Sequence, residues 1–167
     1  MIKLVTILGV LLGTLLSGKT APAEAELIGQ WGCTGNRLIF MEHSGPLPDK
    51  ADVDGHLKAM GASPSNCVLT FTEGHKANFR LGDKDFNLVW TLDPATHEFK
   101  IVALGWFKIS GYLLKENGKV ILIYRRKDLF TILRFLCTGS GRKHISPLGG
   151  LLDSTDGLTV AMEFSKL

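Results

Sequence analysis

The chain has 167 residues, a formal charge of +3 and 45% hydrophobic residues. This composition is typical of one globular domain and excludes a disordered or fibrous chain. A domain of this length buries roughly two-thirds of its unfolded surface, so it needs neither disulfides nor a metal to fold. Because the net charge is small and the charged residues are scattered, we do not expect nucleic acid as a partner.

Residues 1–25 have the order of an export signal. Lys3 precedes the apolar run Leu4–Leu16, and the segment Ala21–Ala25 offers alanine-spaced cleavage sites. The apolar run is too short to span a bilayer, so we expect no transmembrane anchor. We predict a signal peptide over residues 1–25, a mature domain over residues 26–167, and a periplasmic or secreted location.

Two motifs in this segment match known patterns by their letters alone. Residues 13–20 match the phosphate-binding loop, but no strand-loop-helix unit of a parallel α/β fold surrounds them. Leu15–Gly18 resembles a bacterial lipoprotein signal, in which the next residue is cysteine. Since Lys19 occupies that position, lipid anchoring is not predicted.

The mature chain begins with a strand pattern and continues with a helical one. The strand pattern starts at Leu27 and runs to Met41, and glycine at Gly35 predicts a kink. Residues 46–62 show apolar positions at helical spacing, which predicts a helix that serves as a lid.

The stretch Asn66–Tyr124 carries apolar side chains at every second position, and tight turns divide it into six short strands. Asn117-Gly118 is the strongest hairpin signal, because both residues tolerate a positive φ. Its second strand, Val120–Tyr124, is apolar on both faces, which predicts that both faces are covered, one of them by a helix.

A helix follows, for which Asp128 is the predicted cap, and then a short helix near Pro147–Leu152. Leu158–Phe164 alternates again as a final strand that can pair with the first strand and close the ring. The predicted fold is mainly β: an antiparallel up-and-down β-barrel of eight or nine strands with α-helices inserted at two places.

Gly29-Gln30-Trp31 is similar to the glycine-any-tryptophan signature of the lipocalins, in which the tryptophan packs across the closed end of the barrel. Most of the mature chain resembles a family of exported lipocalin-like proteins of unknown function from Bacteroidetes, including the turn Asp93–Thr96 and the end Leu151–Val160. The resemblance implies a lipocalin-like, calycin-type barrel with inserted helices. It implies no enzymatic activity and no particular ligand.

The inward positions of the strands are occupied mainly by bulky apolar side chains. They either fill the interior as a core or form the wall of a pocket for an apolar ligand, and alternation does not separate the two. We favour a largely filled interior, because few of these residues are polar enough to orient a ligand. The candidate ligand-binding residues are Trp31, Phe71, Phe79, Phe86, Trp90, Phe99, Ile101, Phe107 and Ile109.

Three cysteines permit one disulfide in any of three pairings. Cys33, Cys67 and Cys137 each share a face with apolar residues, so we favour three buried, mostly reduced thiols. The five histidines show no metal-ligand spacing, and no nucleophile-base arrangement rises above chance. We therefore predict no metal, no cofactor, no catalytic residue and no enzymatic activity.

These patterns leave two hypotheses for the function. The first is an exported monomeric binding module that holds a small hydrophobic ligand in the barrel or at its mouth. The alternative is a rigid scaffold with a filled interior that binds an envelope protein, for example a protease. The alternative predicts an exposed apolar patch that includes Trp106 and Tyr112, which we expect on the outer face of one strand.

Overall fold

The computed structural model describes residues 22–40, 48–61, 64–137, 139–153 and 158–167. In these ranges eight antiparallel strands form a closed barrel, in which each strand pairs with the next along the chain and the last returns to the first. The predicted up-and-down barrel is confirmed, with eight strands. Most of the predicted signal peptide, residues 1–21, lies outside the described residues.

The elements follow one another in simple order. The strands are β1 Gly29–Phe40, β2 Cys67–Thr72, β3 Lys76–Leu81, β4 Lys84–Leu92, β5 Glu98–Ala103, β6 Phe107–Glu116, β7 Lys119–Tyr124 and β8 Leu158–Lys166. The α-helices are α1 Glu24–Leu27, α2 Lys50–Ala59, α3 Arg126–Leu136 and α4 Ile145–Asp153, and short 3-10 helices span Pro64–Asn66 and Gly139–His144.

Strand β1 pairs with a different neighbour along each of its two edges. Its pairing with β2 ends at Gly32 opposite Val68, and its pairing with β8 runs from Trp31 to Phe40. The pairing with β8 shifts register between Cys33 and Gly35, which confirms the predicted kink. The predicted start of the strand was wrong, since Leu27 ends α1 and the strand begins only at Gly29.

Positive φ values mark several of the hairpin turns. Asn117 and Gly118 have φ of 52° and 74° and join β6 to β7, which confirms the predicted hairpin. Leu104 and Gly105, with φ of 54° and 75°, begin the three-residue connection of β5 to β6. Trp106 therefore lies in a turn and not on the strand where the alternation placed it, because β6 begins one residue later.

Helix α2 is capped by Asp49, whose carboxylate accepts a hydrogen bond of 2.8 Å from the backbone of Ala51. The predicted helix is confirmed over Lys50–Ala59, and residues 46, 47 and 62 of that prediction lie outside the described residues. Its apolar stripe, which includes Val53 and Leu57, is buried in the main core. The helix is thus a lid whose inner face continues the core.

Helix α3 begins at Arg126 with Arg125 in the cap position, three residues before the predicted cap. Asp128 does not cap it, because its carboxylate accepts a hydrogen bond of 3.2 Å from the backbone of Ser110 on β6. The helix packs its inner face, including Leu133, into the main core of the barrel. β7 is buried on both faces, as predicted: Leu122 and its neighbours at every second position join this core, and Ile121 belongs to a separate outer cluster.

Candidate functional site

The end of the barrel near the β2–β3 turn is filled by aromatic rings. The ring centroid of Phe71 lies 5.2 Å from that of Trp90 and 6.2 Å from that of Phe99, and the last two are 6.0 Å apart. All three are fully buried. Such edge-to-face and tilted pairs stabilise a packed core beyond the area that they bury. We call these three side chains the aromatic plug.

Trp31 closes the same end of the barrel. It is 4% exposed, and its indole Nε1 donates a hydrogen bond of 2.7 Å to the carbonyl of Leu27 in α1. The ammonium of Lys166, near the end of β8, lies 5.6 Å from the centroid of its ring. Trp31 therefore joins α1, β1 and β8, which is the place that the lipocalin signature implies for it.

The opposite end of the barrel retains empty space, which we call the upper cavity. The volume that water centres can occupy there is about 50 Å³. Its lining is almost wholly apolar and comes from strands β2 to β7 and from helix α3. The lining residues are Leu69, Phe79, Phe86, Leu88, Ile101, Ala103, Phe107, Ile109, Leu122, Tyr124 and Ile132.

The nine candidate ligand-binding residues therefore divide into two groups. Five of them line the upper cavity, and the plug residues and Trp31 do not. The alternating pattern also places Leu69, Leu88 and Ala103 on the inward face, because each lies two residues from one of the candidate ligand-binding residues. The sequence did not predict Ile132 as a lining residue, because the apolar stripe of a helix does not show which strands the helix packs against.

A second, smaller cavity of about 30 Å³ lies beside the first, under α2 and α3. Leu57 of α2 and Leu133 of α3 are among its lining residues. Phe79, Tyr124 and Ile132 line both cavities, so these three side chains form the partition between them. A rotation of Phe79 or a small shift of α3 would join the two spaces.

Tyr124 provides the single polar side chain among the residues lining the upper cavity. Its hydroxyl donates to the thioether sulfur of Met162 at 3.4 Å. Burial raises the pKa of this hydroxyl far above its ordinary value, with a smaller contribution from the Cys67 and Cys33 thiols. The interior therefore offers a neutral hydrogen-bonding group and no charge, which favours uncharged apolar ligands.

Among the residues that the structure describes, no three His, Cys, Asp or Glu side chains are grouped so as to hold a metal ion. His56 of α2 and His144 approach each other, with 3.0 Å between their Nδ1 atoms, and join the lid to the segment before α4.

Over the described residues, none of the helices has the length and hydropathy that a membrane span requires.

The exposed apolar side chains near the upper cavity belong to the β5–β6 turn. Trp106 is 67% exposed and packs edge-on against Phe107, a lining residue, with ring centroids 5.9 Å apart. Leu104 is also exposed. Tyr112 is half-buried against the outer cluster, and the guanidinium of Arg125 lies 5.6 Å from its ring centroid. Trp106 and Tyr112 therefore do not form one exposed patch.

A closed eight-stranded barrel with a tryptophan across one end and a small apolar cavity at the other defines a lipocalin-like protein. The model of the family described as "Lipocalin-like domain (DUF4923)" matches residues 50–166, so the chain belongs to this family.

Among solved structures, the chain is similar to apo Caenorhabditis elegans lipid binding protein 8. The two are 12% identical, with a TM-score of 0.38, over 87% of this chain and 98% of that one. No curated protein matches the chain.

Proposed function

We propose that the chain is an exported, non-enzymatic, monomeric binding module of a Bacteroidetes cell envelope, and that it holds a small apolar molecule in the upper cavity. Membership of the lipocalin-like family and the apolar lining of the cavity support the binding role. The order of basic, apolar and alanine-spaced residues in the first 25 positions supports export to the periplasm or the exterior.

The uneven filling of the barrel carries this proposal. One end is packed ring against ring by the aromatic plug, whereas the other leaves about 50 Å³ open to water centres. A core selected for stability alone would fill that space, because each void forfeits dispersion contacts. The cavity instead provides a site in which an apolar ligand replaces the missing contacts.

The size of the cavity defines the ligand class. The space accommodates an apolar group of a few carbon atoms, since a single water needs about 10–15 Å³ by the same measure. A longer chain enters only if Phe79 or Ile132 moves and joins the two cavities. We therefore expect a short alkyl chain or a small ring.

A titration with n-alkanols of increasing chain length tests the proposal. Apolar burial contributes about 0.8 kcal/mol per CH₂, so the midpoint of thermal unfolding should rise with chain length until the cavity is full. Native mass spectrometry of the protein from its own host would reveal a retained ligand. A bare chain mass together with no alkanol dependence would refute the proposed binding role.

Ala103→Leu is the matched cavity-filling variant, because Ala103 lines the upper cavity. We expect it to weaken alkanol binding at least tenfold while leaving the unfolding midpoint equal or higher. Val102→Leu is the control, since Val102 lies next to it on β5 and is absent from the cavity lining. Equal effects of the two variants would place the alkanol outside the cavity.

Export is tested separately by fractionation of the host and N-terminal sequencing of the protein. We expect a periplasmic or secreted chain that begins at Glu24 or Glu26, after one of the alanine-spaced sites. A cytoplasmic chain that retains Met1 would contradict this part of the proposal.

The exposed turn at Leu104 and Trp106 favours the second function, a scaffold that binds an envelope protein. Leucine is strained at a positive φ, and both side chains present apolar surface to solvent. In this case Trp106→Ser would abolish capture of a stoichiometric partner and leave alkanol binding unchanged.

A further inference from the structure

Cys33 of β1 and Cys67 of β2 lie across from each other on neighbouring strands. The register pairs Trp31 with Leu69 and Gly32 with Val68, so one further step along the ladder places Cys33 opposite Cys67. Residues directly opposite in antiparallel strands have Cα atoms about 4.5–5.5 Å apart. That separation lies inside the range of roughly 4.4–6.8 Å found across disulfides.

The two side chains also point to the same side of the sheet. Cys67 is 1% exposed and belongs to the main core, and Cys33 is half-buried and packs against that core. The neighbouring Cys67 thiol lowers the pKa of Cys33, and the Cys33 thiol together with burial raises the pKa of Cys67. Cys33 is thus the thiol that ionises first and the one nearer to solvent.

The third thiol has a different environment. Cys137 follows α3, and its sulfur donates to the carbonyl of Met60 at 3.5 Å, at the end of the lid helix. It is fully buried, and burial raises its pKa. Of the three pairings that the cysteine count allows, the strand register therefore supports Cys33 with Cys67.

We propose that Cys33 and Cys67 form an intramolecular disulfide when the protein meets an oxidising environment. The oxidant is another disulfide, either a small molecule or a thiol-disulfide oxidoreductase. The Cys33 thiolate attacks one sulfur of this disulfide and releases a thiolate. Cys67, after losing its proton, attacks the sulfur of Cys33 in the mixed disulfide and releases the second thiolate. The two protons from the protein thiols convert the released thiolates to thiols.

The bridge joins two barrel strands and closes the segment of chain that contains the lid helix. It closes a loop over residues 34–66, which includes α2, the helix that contributes Leu57 to the smaller cavity. Cross-linking a loop of this length restricts the unfolded chain, so the folded barrel gains stability. This inference does not depend on the proposed ligand, since it concerns a different set of residues at the β1–β2 ladder.

The test uses the full chain, incubated with oxidised glutathione, denatured and titrated with Ellman's reagent. We expect one titratable thiol, at Cys137, and an intact mass lower by two hydrogen atoms. Tryptic digestion should link the peptide that ends at Arg37 to residues 59–76 and leave residues 135–142 unlinked. Three titratable thiols, or a bridge that includes Cys137, would overturn the proposal.

Two variants separate the bridge from other effects of oxidation. In Cys137→Ala, oxidation should still raise the unfolding midpoint, by roughly 5–15 °C for a loop of this length. In Cys33→Ala, the oxidised and reduced midpoints should coincide. A higher unfolding midpoint of the oxidised protein in Cys33→Ala would refute the pairing of Cys33 with Cys67. If that variant does not fold, the tryptic map of the unmodified chain decides the question.

Discussion

Truncation of two inward-facing phenylalanines, Phe71→Ala and Phe79→Ala, tests the division of the barrel into a filled end and an open end. Phe71 is 1% exposed and its ring contacts two other rings of the aromatic plug. Removing a fully buried phenylalanine costs about 3–5 kcal/mol. Loss of two aromatic pairs, each contributing about 0.5–1.5 kcal/mol, places Phe71→Ala near the upper end of that range.

Phe79 is half-buried and already faces empty space, because it lines both cavities. Its removal forfeits fewer contacts, so we expect Phe79→Ala to cost about 1–2 kcal/mol. The free energy of unfolding is measured by urea titration, followed by tryptophan fluorescence and circular dichroism. The midpoint of thermal unfolding shifts by about 2–4 °C per kcal/mol in a chain of this size. The thermal midpoints of the two variants should therefore differ by roughly 5–12 °C.

The variant that loses less stability should show the larger change in the length of n-alkanol that it binds. Phe79→Ala removes part of the partition between the cavities, so longer n-alkanols should bind to it than to the unmodified chain. Phe71→Ala should leave the alkanol length limit unchanged. Equal losses of stability, or an equal change in the length limit, would refute the division of the interior into two ends.

Two further predictions concern a close backbone approach and the buried tyrosine. A Cβ on Gly111 would overlap the carbonyl oxygen of Ile123, so Gly111→Ala should cost at least about 2 kcal/mol in urea unfolding. Gly35→Ala, with open space around its Cβ, should cost much less. Because burial raises the pKa of Tyr124 in the folded chain, the stability from this group is complete below about pH 10 and falls as pH rises further. In Tyr124→Phe, unfolding measured between pH 8 and pH 11.5 should therefore show a smaller decline.

The period-two pattern predicted which side chains enter the barrel but not how deep along its axis they lie. Phe71 and Phe79 both face inward, yet one belongs to the plug and the other to the cavity wall. Depth depends on the register between neighbouring strands, and on the closure of β1 against β8, whose residues are more than a hundred positions apart in the chain. A local pattern contains no information about such a pairing.

Long-range partners also explain what the local pattern did not show. Asp128 has the residue type and position of a cap, but the backbone of Ser110 on β6 binds its carboxylate. Cys33 and Cys67 each have the pattern of a small buried hydrophobe, and only the β1–β2 register shows that they are neighbours. The partner of Asp128 replaced its predicted role as a cap, whereas the reduced state of the two cysteines stays a prediction.

The pairing of β1 with both β2 and β8 determines when the barrel can close. β8 comprises Leu158–Lys166, so the seam with β1 closes only after all the other strands have been synthesised. Until then β1 keeps an unpaired edge, and folding must wait for its last and most distant partner. Unpaired N–H and C=O groups on such an edge can pair with another chain, so late closure exposes the incomplete barrel to aggregation.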